Sequence, residues 1–123
     1  MDKIEECLNA FIQEVEFRKT VDYSDKKSVK QYNLAYDRAA GYAQYIDKHH
    51  PEHISTFMNL LNHPDIYVVA CCAPMILQME NSTCEQKRMA LEAISRLTDD
   101  TRLSKIDRLG FKMSLEKWKD MYK

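Results

Sequence analysis

The stretch HPDIYVVACCAPMILQM, residues 63–79, decides the fold of this chain of 123 residues. It contains a single acid, Asp65, and no Lys or Arg, and it also carries two adjacent cysteines and a proline, Pro74. An uncharged run of this kind is compatible with a buried strand, a redox site, a membrane segment or a helix that tolerates a proline. The remainder of the chain distinguishes among these alternatives.

The composition of the whole chain favours helices. It contains only 2 Gly and 3 Pro, whereas the tight turns of a β-sandwich or an α/β fold draw heavily on Gly, Pro and Asn. Apolar residues make up 45% and charged residues 30%, which is the balance of a globular domain and not of a disordered chain. The length fits one domain that needs no disulfide or metal to hold its core. We therefore predict a single all-α domain over residues 1–123.

Apolar residues recur at helical spacing along six segments. Ser24 or Asp25 is the expected N-cap of the second helix, and Asp65 is the expected N-cap of the fourth. His50-Pro51 should end the second helix, because the residue before a proline is pushed away from the α region. The predicted helices cover residues 2–20, 26–49, 51–62, 66–79 and 84–97, and a sixth starts at 99–101 and carries Leu103, Ile106, Leu109, Phe111, Met113, Leu115 and Trp118.

These helices form three helix–turn–helix units, residues 2–49, 51–79 and 84–122. Repeated helix pairs are typical of a stacked α-solenoid rather than of a four-helix bundle. The opening stretch then becomes the second helix of the central pair, and cover by helices on both sides would explain why it lacks charge. Pro74 should remove one backbone hydrogen bond and bend that helix.

The segment ISTFMNLLNHPDIYVVACCAPMIL, residues 54–77, resembles one HEAT repeat. In that repeat an apolar helix ends in two leucines, a turn holds Asp and Pro, and a second helix opens with valine and later carries two small residues. The arginine that usually follows the valine is replaced by Val69. The matching places are filled by Leu60-Leu61, Pro64-Asp65, Val68, Cys72-Ala73 and Ile76.

Most of the chain is similar to a family of short bacterial HEAT-like proteins. The family pattern ends in G-F-x-A-x-x-x-L-x-x-W, and LGFKMSLEKWK at residues 109–119 fits it with Met113 near the place of the alanine. Members of such families often resemble immunity genes that lie beside polymorphic toxins, including those of contact-dependent inhibition systems. The resemblance implies three antiparallel helix pairs in a right-handed solenoid that binds and neutralises a toxin domain.

The motifs of common enzyme classes are missing from the sequence. There is no GxSxG, P-loop, GxGxxG or HExxH, and 2 Gly leave little with which to build a phosphate-cradling loop. The acid pair Asp99-Asp100 is explained by a preference for acids in a first helical turn. We therefore predict a protein that is not an enzyme and that has no cofactor.

Candidate metal and redox groups have structural explanations. His49 and His53 have i,i+4 spacing, but Pro51 interrupts the helix between them, so a metal site is not expected. Cys71 and Cys72 lie in the middle of a helix, and their stretch contains no cation that would activate a thiol. The start of the chain shows no secretory signal, and no apolar run reaches transmembrane length. We expect a cytoplasmic protein with reduced, mostly packed cysteines.

Two groups of side chains have alternative roles. The tyrosines of the second helix are expected to pack, with a protein interface or base stacking as alternatives. The basic residues of the last helix are interleaved with acids, so a solvated face is expected and phosphate binding is the alternative. The tyrosines are Tyr32, Tyr36, Tyr42 and Tyr45. The basic residues are Arg102, Lys105, Arg108 and Lys112.

The partner surface is expected on residues 51–80, because this block carries acids and no Lys or Arg. We predict that Glu52, Asp65 and Glu80 meet a cationic cleft of a toxin domain, with Tyr67 as an aromatic anchor. The expected partner is a protein, with no membrane association, and the chain is expected to be a monomer or a weak homodimer. The alternatives are a HEAT-like scaffold or adaptor, and a helical-repeat nucleic-acid binder that uses the basic residues of 102–119.

Overall fold

The computed structural model describes residues 3–121, and every regular element in that range is helical. The α-helices are α1 (Lys3–Arg18), α2 (Lys26–His49), α3 (Ile54–Phe57), α4 (Ile66–Gln78), α5 (Cys84–Leu97) and α6 (Lys105–Met121). Two short 3-10 helices, Pro51–His53 and Met58–Asn62, flank α3. The prediction of an all-α chain with six helices is therefore confirmed for the described residues.

Side-chain caps set the starts of the middle helices. Asp25, and not Ser24, caps α2 by accepting a hydrogen bond from the amide of Lys27. Asp65 caps α4 in the same way, as predicted. At α5 the side chain of Thr83 accepts from the amide of Gln86, whose side chain accepts in turn from the amide of Thr83. Each cap satisfies amides that the first helical turn leaves without partners.

The third predicted helix is helical over 51–62 but is not one continuous α-helix. Its buried side chains explain the difference, because Ile54, Phe57 and Leu60 recur every third residue, as do Met58 and Leu61. A period of three is the period of the 3-10 helix, so tightening the turns directs all of these side chains inward.

The last helix begins at Lys105 and not at 99–101 as predicted. The side chain of Asp100 accepts from the amide of Arg102, which holds the chain in a turn before the helix. The apolar residues that were expected in this helix lie on two faces, one buried and one exposed. Leu115 is buried with Phe111 and Trp118 packed against the core, whereas Ile106, Leu109 and Met113 are 82%, 58% and 68% exposed.

One hydrophobic cluster joins the elements. In it α1 packs on α2, α4 packs on Met58–Asn62 and on α5, and α5 packs on α6. The rings of Phe11 and Phe57 meet edge to face with centroids 5.2 Å apart, a favourable aromatic geometry. Ala39 and Ala43 are buried on α2 and allow α1 to approach closely. Over residues 3–121, no helix has both the length and the apolar character that a membrane crossing requires.

A buried carboxylate joins α2 to the turn between α4 and α5. Asp47 is 4% exposed. Its two carboxylate oxygens accept hydrogen bonds from the amides of Glu80 and Asn81, each at 2.9 Å. The side-chain amide of Asn81 donates back to the Asp47 carbonyl. Lys87 donates to the carbonyl of Met79 at 2.7 Å, and burial lowers the pKa of Lys87 while the charge of Asp47 opposes that shift.

Replacement of Asp47 tests this connection. We expect Asp47→Ala to lower the free energy of unfolding by about 3 kcal/mol, because two partly buried amides lose a charged acceptor. Asp47→Asn keeps one acceptor oxygen and should cost less. Urea unfolding followed by circular dichroism measures both. The matched control is Asp37→Ala, an exposed acid on the same helix, which should stay within about 0.5 kcal/mol of wild type. Equal losses at positions 47 and 37 would contradict the assignment.

Candidate functional site

A groove of about 980 Å³ runs between the C-terminal end of α1, the N-terminal half of α2, one face of α4 and the start of α6. We call it the tyrosine groove, since Tyr23, Tyr32, Tyr36 and Tyr67 line it. Tyr36 and Tyr67 are each 39% exposed and Tyr23 is 73% exposed, so their rings are accessible from solvent. The rest of the lining is Val15, Arg18, Lys19, Val21, Ala70, Cys71, Pro74, Leu103, Ser104, Ile106, Asp107 and Phe111.

The opening stretch of the sequence supplies one wall of the groove. Tyr67, Ala70, Cys71 and Pro74 stand at i, i+3, i+4 and i+7 on α4, which places them on one helical face. The opposite side of α4, which includes Val68, is buried in the core. Along this stripe the cover of α4 is partial, because Tyr67 is exposed while Ala70, Cys71 and Pro74 are half-buried.

Pro74 changes the hydrogen bonding of that wall. It lies inside α4, which continues without interruption to Gln78. Since proline has no amide hydrogen, the carbonyl of Ala70 lacks the donor that residue i+4 normally supplies. Ala70 and Pro74 both line the groove, so they give this wall an apolar surface.

Arg18 is the central cation of the groove. Its guanidinium carbon lies 4.1 Å from the ring centroid of Tyr32 and 4.9 Å from that of Tyr36. These distances are within the range of cation–π attraction. One terminal nitrogen, Nη1, donates to the Sγ atom of Cys71 at 3.1 Å. The two tyrosine rings and the thiol therefore hold the guanidinium in a defined position.

The Cys71 side chain does more than fill space in the core, but its thiol is not activated as a nucleophile. The sequence suggested no cation near it, but Arg18 reaches it from α1, 53 residues away in sequence. Burial raises the pKa of the Cys71 thiol above its ordinary value, and the nearby Arg18 opposes this shift without cancelling it. The thiol is therefore protonated at neutral pH and accepts from Arg18 as a neutral sulfur. Cys7 and Cys72 are buried as expected, whereas Cys84, expected on an apolar face, is exposed.

A second cation stands at the rim of the groove and is already paired. The ammonium of Lys19 forms ion pairs with Glu16, at 3.1 Å, and with Asp65. It also lies 5.4 Å from the ring centroid of Tyr67. The hydrogen bond to Asp65 raises the pKa of Lys19. Burial alone would raise the pKa of Asp65, but hydrogen bonds from Lys19 and from the Tyr67 amide outweigh it and lower that pKa.

The four predicted partner-binding residues do not all lie together. Asp65 and Tyr67 stand at the rim of the groove, beside Lys19. Glu80 follows the other end of α4, where its amide donates to Asp47, and a carboxylate oxygen of Glu52 is 3.5 Å from a ring nitrogen of His50. The 13 residues of α4 separate Asp65 from Glu80, which is about 20 Å at the rise of an α-helix. Asp65 and Glu80 therefore do not form one cluster.

The other candidate groups are spread over the surface. His50 and His53 have ring centroids 6.2 Å apart, and no group of three potential metal ligands occurs within residues 3–121. Arg102 pairs with Asp100 at 2.7 Å, which lowers the pKa of Asp100 to about 2. Of the four tyrosines on α2, Tyr32 and Tyr36 line the groove, whereas Tyr42 and Tyr45 pack against the core.

The ion pair between Lys19 and Asp65 should make stability depend on pH. We compare wild type with Asp65→Asn, because asparagine still caps a helix but carries no charge. The folded pKa of Asp65 is lowered, so its contribution is present above the unfolded value of about 3.9 and is lost as pH falls through the folded value. Urea unfolding from neutral pH to about pH 3 should show wild type more stable at neutral pH and the difference shrinking in acid.

The control for that experiment is Asp37→Asn, an exposed acid on α2. It should show no acid-dependent difference from wild type of comparable size. A gap between wild type and Asp65→Asn that is unchanged at low pH would mean that the charge of Asp65 does not stabilise the fold.

The described residues thus offer a groove lined by aromatic rings, the guanidinium of Arg18 and the ammonium of Lys19. Comparisons with family models, with curated proteins and with solved structures found no match for this chain.

Proposed function

We propose that this protein is a protein-binding module that receives a segment of its partner in the tyrosine groove. The observation that carries this proposal is the composition of the groove, where four tyrosines and an arginine surround an apolar floor. Tyr and Arg are the side chains that contribute most to binding energy at protein interfaces. The volume of about 980 Å³ is at the upper end of small-ligand pockets, roughly 300–1,000 Å³. It therefore has room for several side chains.

The specific function that we propose is immunity to a bacterial toxin, by occlusion of the active site of a cognate toxin domain. The support is the resemblance of the sequence to short HEAT-like immunity proteins. A basic nuclease is the class of toxin to test first, because Glu52 and Glu80 are exposed acids that would complement a cationic cleft. Asp65 is a weaker candidate for that role, since Lys19 already neutralises it.

The architecture that we propose is a right-handed, HEAT-like solenoid of three antiparallel helix pairs. The contacts within residues 3–121 are consistent with it. α1 packs on α2, Met58–Asn62 packs on α4, α5 packs on α6, and further contacts link α1 to α4 and α4 to α5. A stack of this kind places consecutive pairs beside one another, and the groove then lies across the first, second and third pairs.

We further propose a cytoplasmic location and a monomer or weak homodimer. A HEAT-like adaptor with a different protein partner would use the same groove. A nucleic-acid binder would use the basic face of 102–119, but Arg102 is already paired with Asp100. Binding to phosphate should weaken steeply with salt, so the salt dependence of partner binding separates the last class from the other two.

Rescue of a host cell tests the immunity function. The open reading frame adjacent to this gene is expressed alone and together with this chain, and colony formation is counted. We expect the adjacent product to be toxic alone and neutralised by the wild-type chain. Tyr36→Ala and Tyr67→Ala should each lower rescue at least tenfold, because each removes an exposed aromatic contact in the groove.

Leu34→Ala is the matched control for Tyr36→Ala. Both residues are on α2 and their exposures are 40% and 39%, but Leu34 does not line the groove. It should rescue as wild type does. An adjacent product that is harmless alone, or that the wild-type chain does not neutralise, would remove the immunity function. Full rescue by both tyrosine variants would place the interface elsewhere, and Glu52→Lys and Glu80→Lys would then test the two exposed acids outside the groove.

A further inference from the structure

No carboxylate of the described residues, 3–121, forms an ion pair with Arg18. Two other cations form ion pairs, since Lys19 at the rim of the groove pairs with two carboxylates and Arg38 on α2 pairs with Glu14 at 2.9 Å. Among the same described residues, the only hydrogen-bond acceptor of the Arg18 guanidinium is the Cys71 sulfur, which is a weak one.

The surroundings of Arg18 raise the free-energy cost of leaving its charge without a counter-charge. Its side chain is only partly exposed, and its Nε atom is buried with no hydrogen-bond partner among the described residues. A guanidinium has five N–H donors and no way to lose its charge at neutral pH. Tyr32 and Tyr36 stabilise the cation through their ring faces, but ring faces accept no strong hydrogen bond. A ligand that brings an anionic oxygen would satisfy donors that the chain itself leaves open.

We propose that the segment received by the tyrosine groove carries a glutamate or aspartate whose carboxylate pairs with Arg18 while flanking apolar side chains contact the groove walls. This inference rests on the proposed protein-binding function. A planar carboxylate matches the fork of N–H donors in a guanidinium and makes a strong, charge-assisted contact. The flanking side chains are apolar because Ala70, Pro74 and Phe111 line the same groove as Arg18.

A carboxylate fits this site better than a phosphate group. Phosphate carries nearly two charges at neutral pH, and the groove has one guanidinium without a counter-charge. The other cation of the lining, Lys19, is engaged by Glu16 and Asp65. The lining also contains an acid, Asp107, which would oppose a second negative charge. A single carboxylate on an apolar segment therefore matches both the single positive charge of Arg18 and the apolar walls of the groove.

The test uses the full chain and two blocked peptides of leucines that differ only in a central glutamate or glutamine. Binding is followed by NMR through the side-chain Nε–H signal of Arg18 and the amide signals of Tyr67, Ala70 and Cys71. We expect the glutamate peptide to bind at least tenfold more tightly, which corresponds to about 1.4 kcal/mol, and to shift these four signals. Inorganic phosphate at the same concentration should bind more weakly than the glutamate peptide.

Two variants test whether Arg18 causes the preference for the glutamate peptide over the glutamine peptide. Arg18→Gln should bind both peptides equally, whereas Arg38→Gln, which removes an arginine outside the groove, should keep the tenfold ratio. If Arg18→Gln does not fold, Arg18→Lys replaces it. Lysine keeps the charge but lacks the planar fork, so the ratio should fall several-fold.

The proposal is overturned if the two peptides bind equally, if neither binds, or if phosphate binds more tightly than the glutamate peptide. These outcomes are independent of the rescue assay. Failure of rescue with a clear glutamate preference would remove the immunity function and keep this inference. Equal peptide binding with rescue that depends on Tyr36 would remove this inference alone.

Discussion

The buried carboxylate of Asp47 is the constraint on which the arrangement of α2 and α4 depends. It stands near the end of α2 and binds the two amides that follow α4, so the C-terminal ends of both helices are held together. At the other end of α4, Lys19 extends from the residue after α1 to the N-cap, Asp65. These two polar contacts, one at each end of α4, position the tyrosines of α2 opposite the stripe of α4 that lines the groove. The hydrophobic core fills the space behind them, and the groove remains in front.

The two neighbouring cations at the end of α1 have different roles: Lys19 contributes to stability, and Arg18 is the proposed binding group. Lys19 is neutralised by two carboxylates and joins α1 to α4, and an ion pair of this kind adds to the fold. Arg18 receives only ring faces and a neutral sulfur, which position the guanidinium but do not neutralise its charge. A charge left without a counter-charge in a partly buried place costs folding free energy. This asymmetry is why Arg18, rather than Lys19, is the centre of the proposed site.

The local features of the fold could be predicted from the sequence, whereas the groove could not. The bounds of α2 and α5 follow from Asp25, from His50-Pro51 and from the periodic apolar residues, all of which act over a few positions. The start of α6 was predicted too early because acids at 99–100 also fit a turn, and Asp100 makes one with Arg102. The groove depends on residues far apart in sequence, such as Arg18 and Cys71. One signal was nevertheless available, since Tyr67, Ala70, Cys71 and Pro74 form a stripe distinct from the aliphatic core face of α4.

The position of Pro74 is explained by the groove that this stripe of α4 lines, and not by packing in the core. Proline inside a helix costs about 3 kcal/mol because a backbone hydrogen bond is lost and the ring crowds the preceding turn. Pro74 lies on the groove side of α4, where it is partly exposed to solvent. Because proline has no amide hydrogen, the carbonyl of Ala70 also loses its usual i+4 donor. The groove therefore combines the guanidinium of Arg18 with the apolar surface of Ala70 and Pro74. A peptide segment that carries an acidic side chain between apolar ones complements both features.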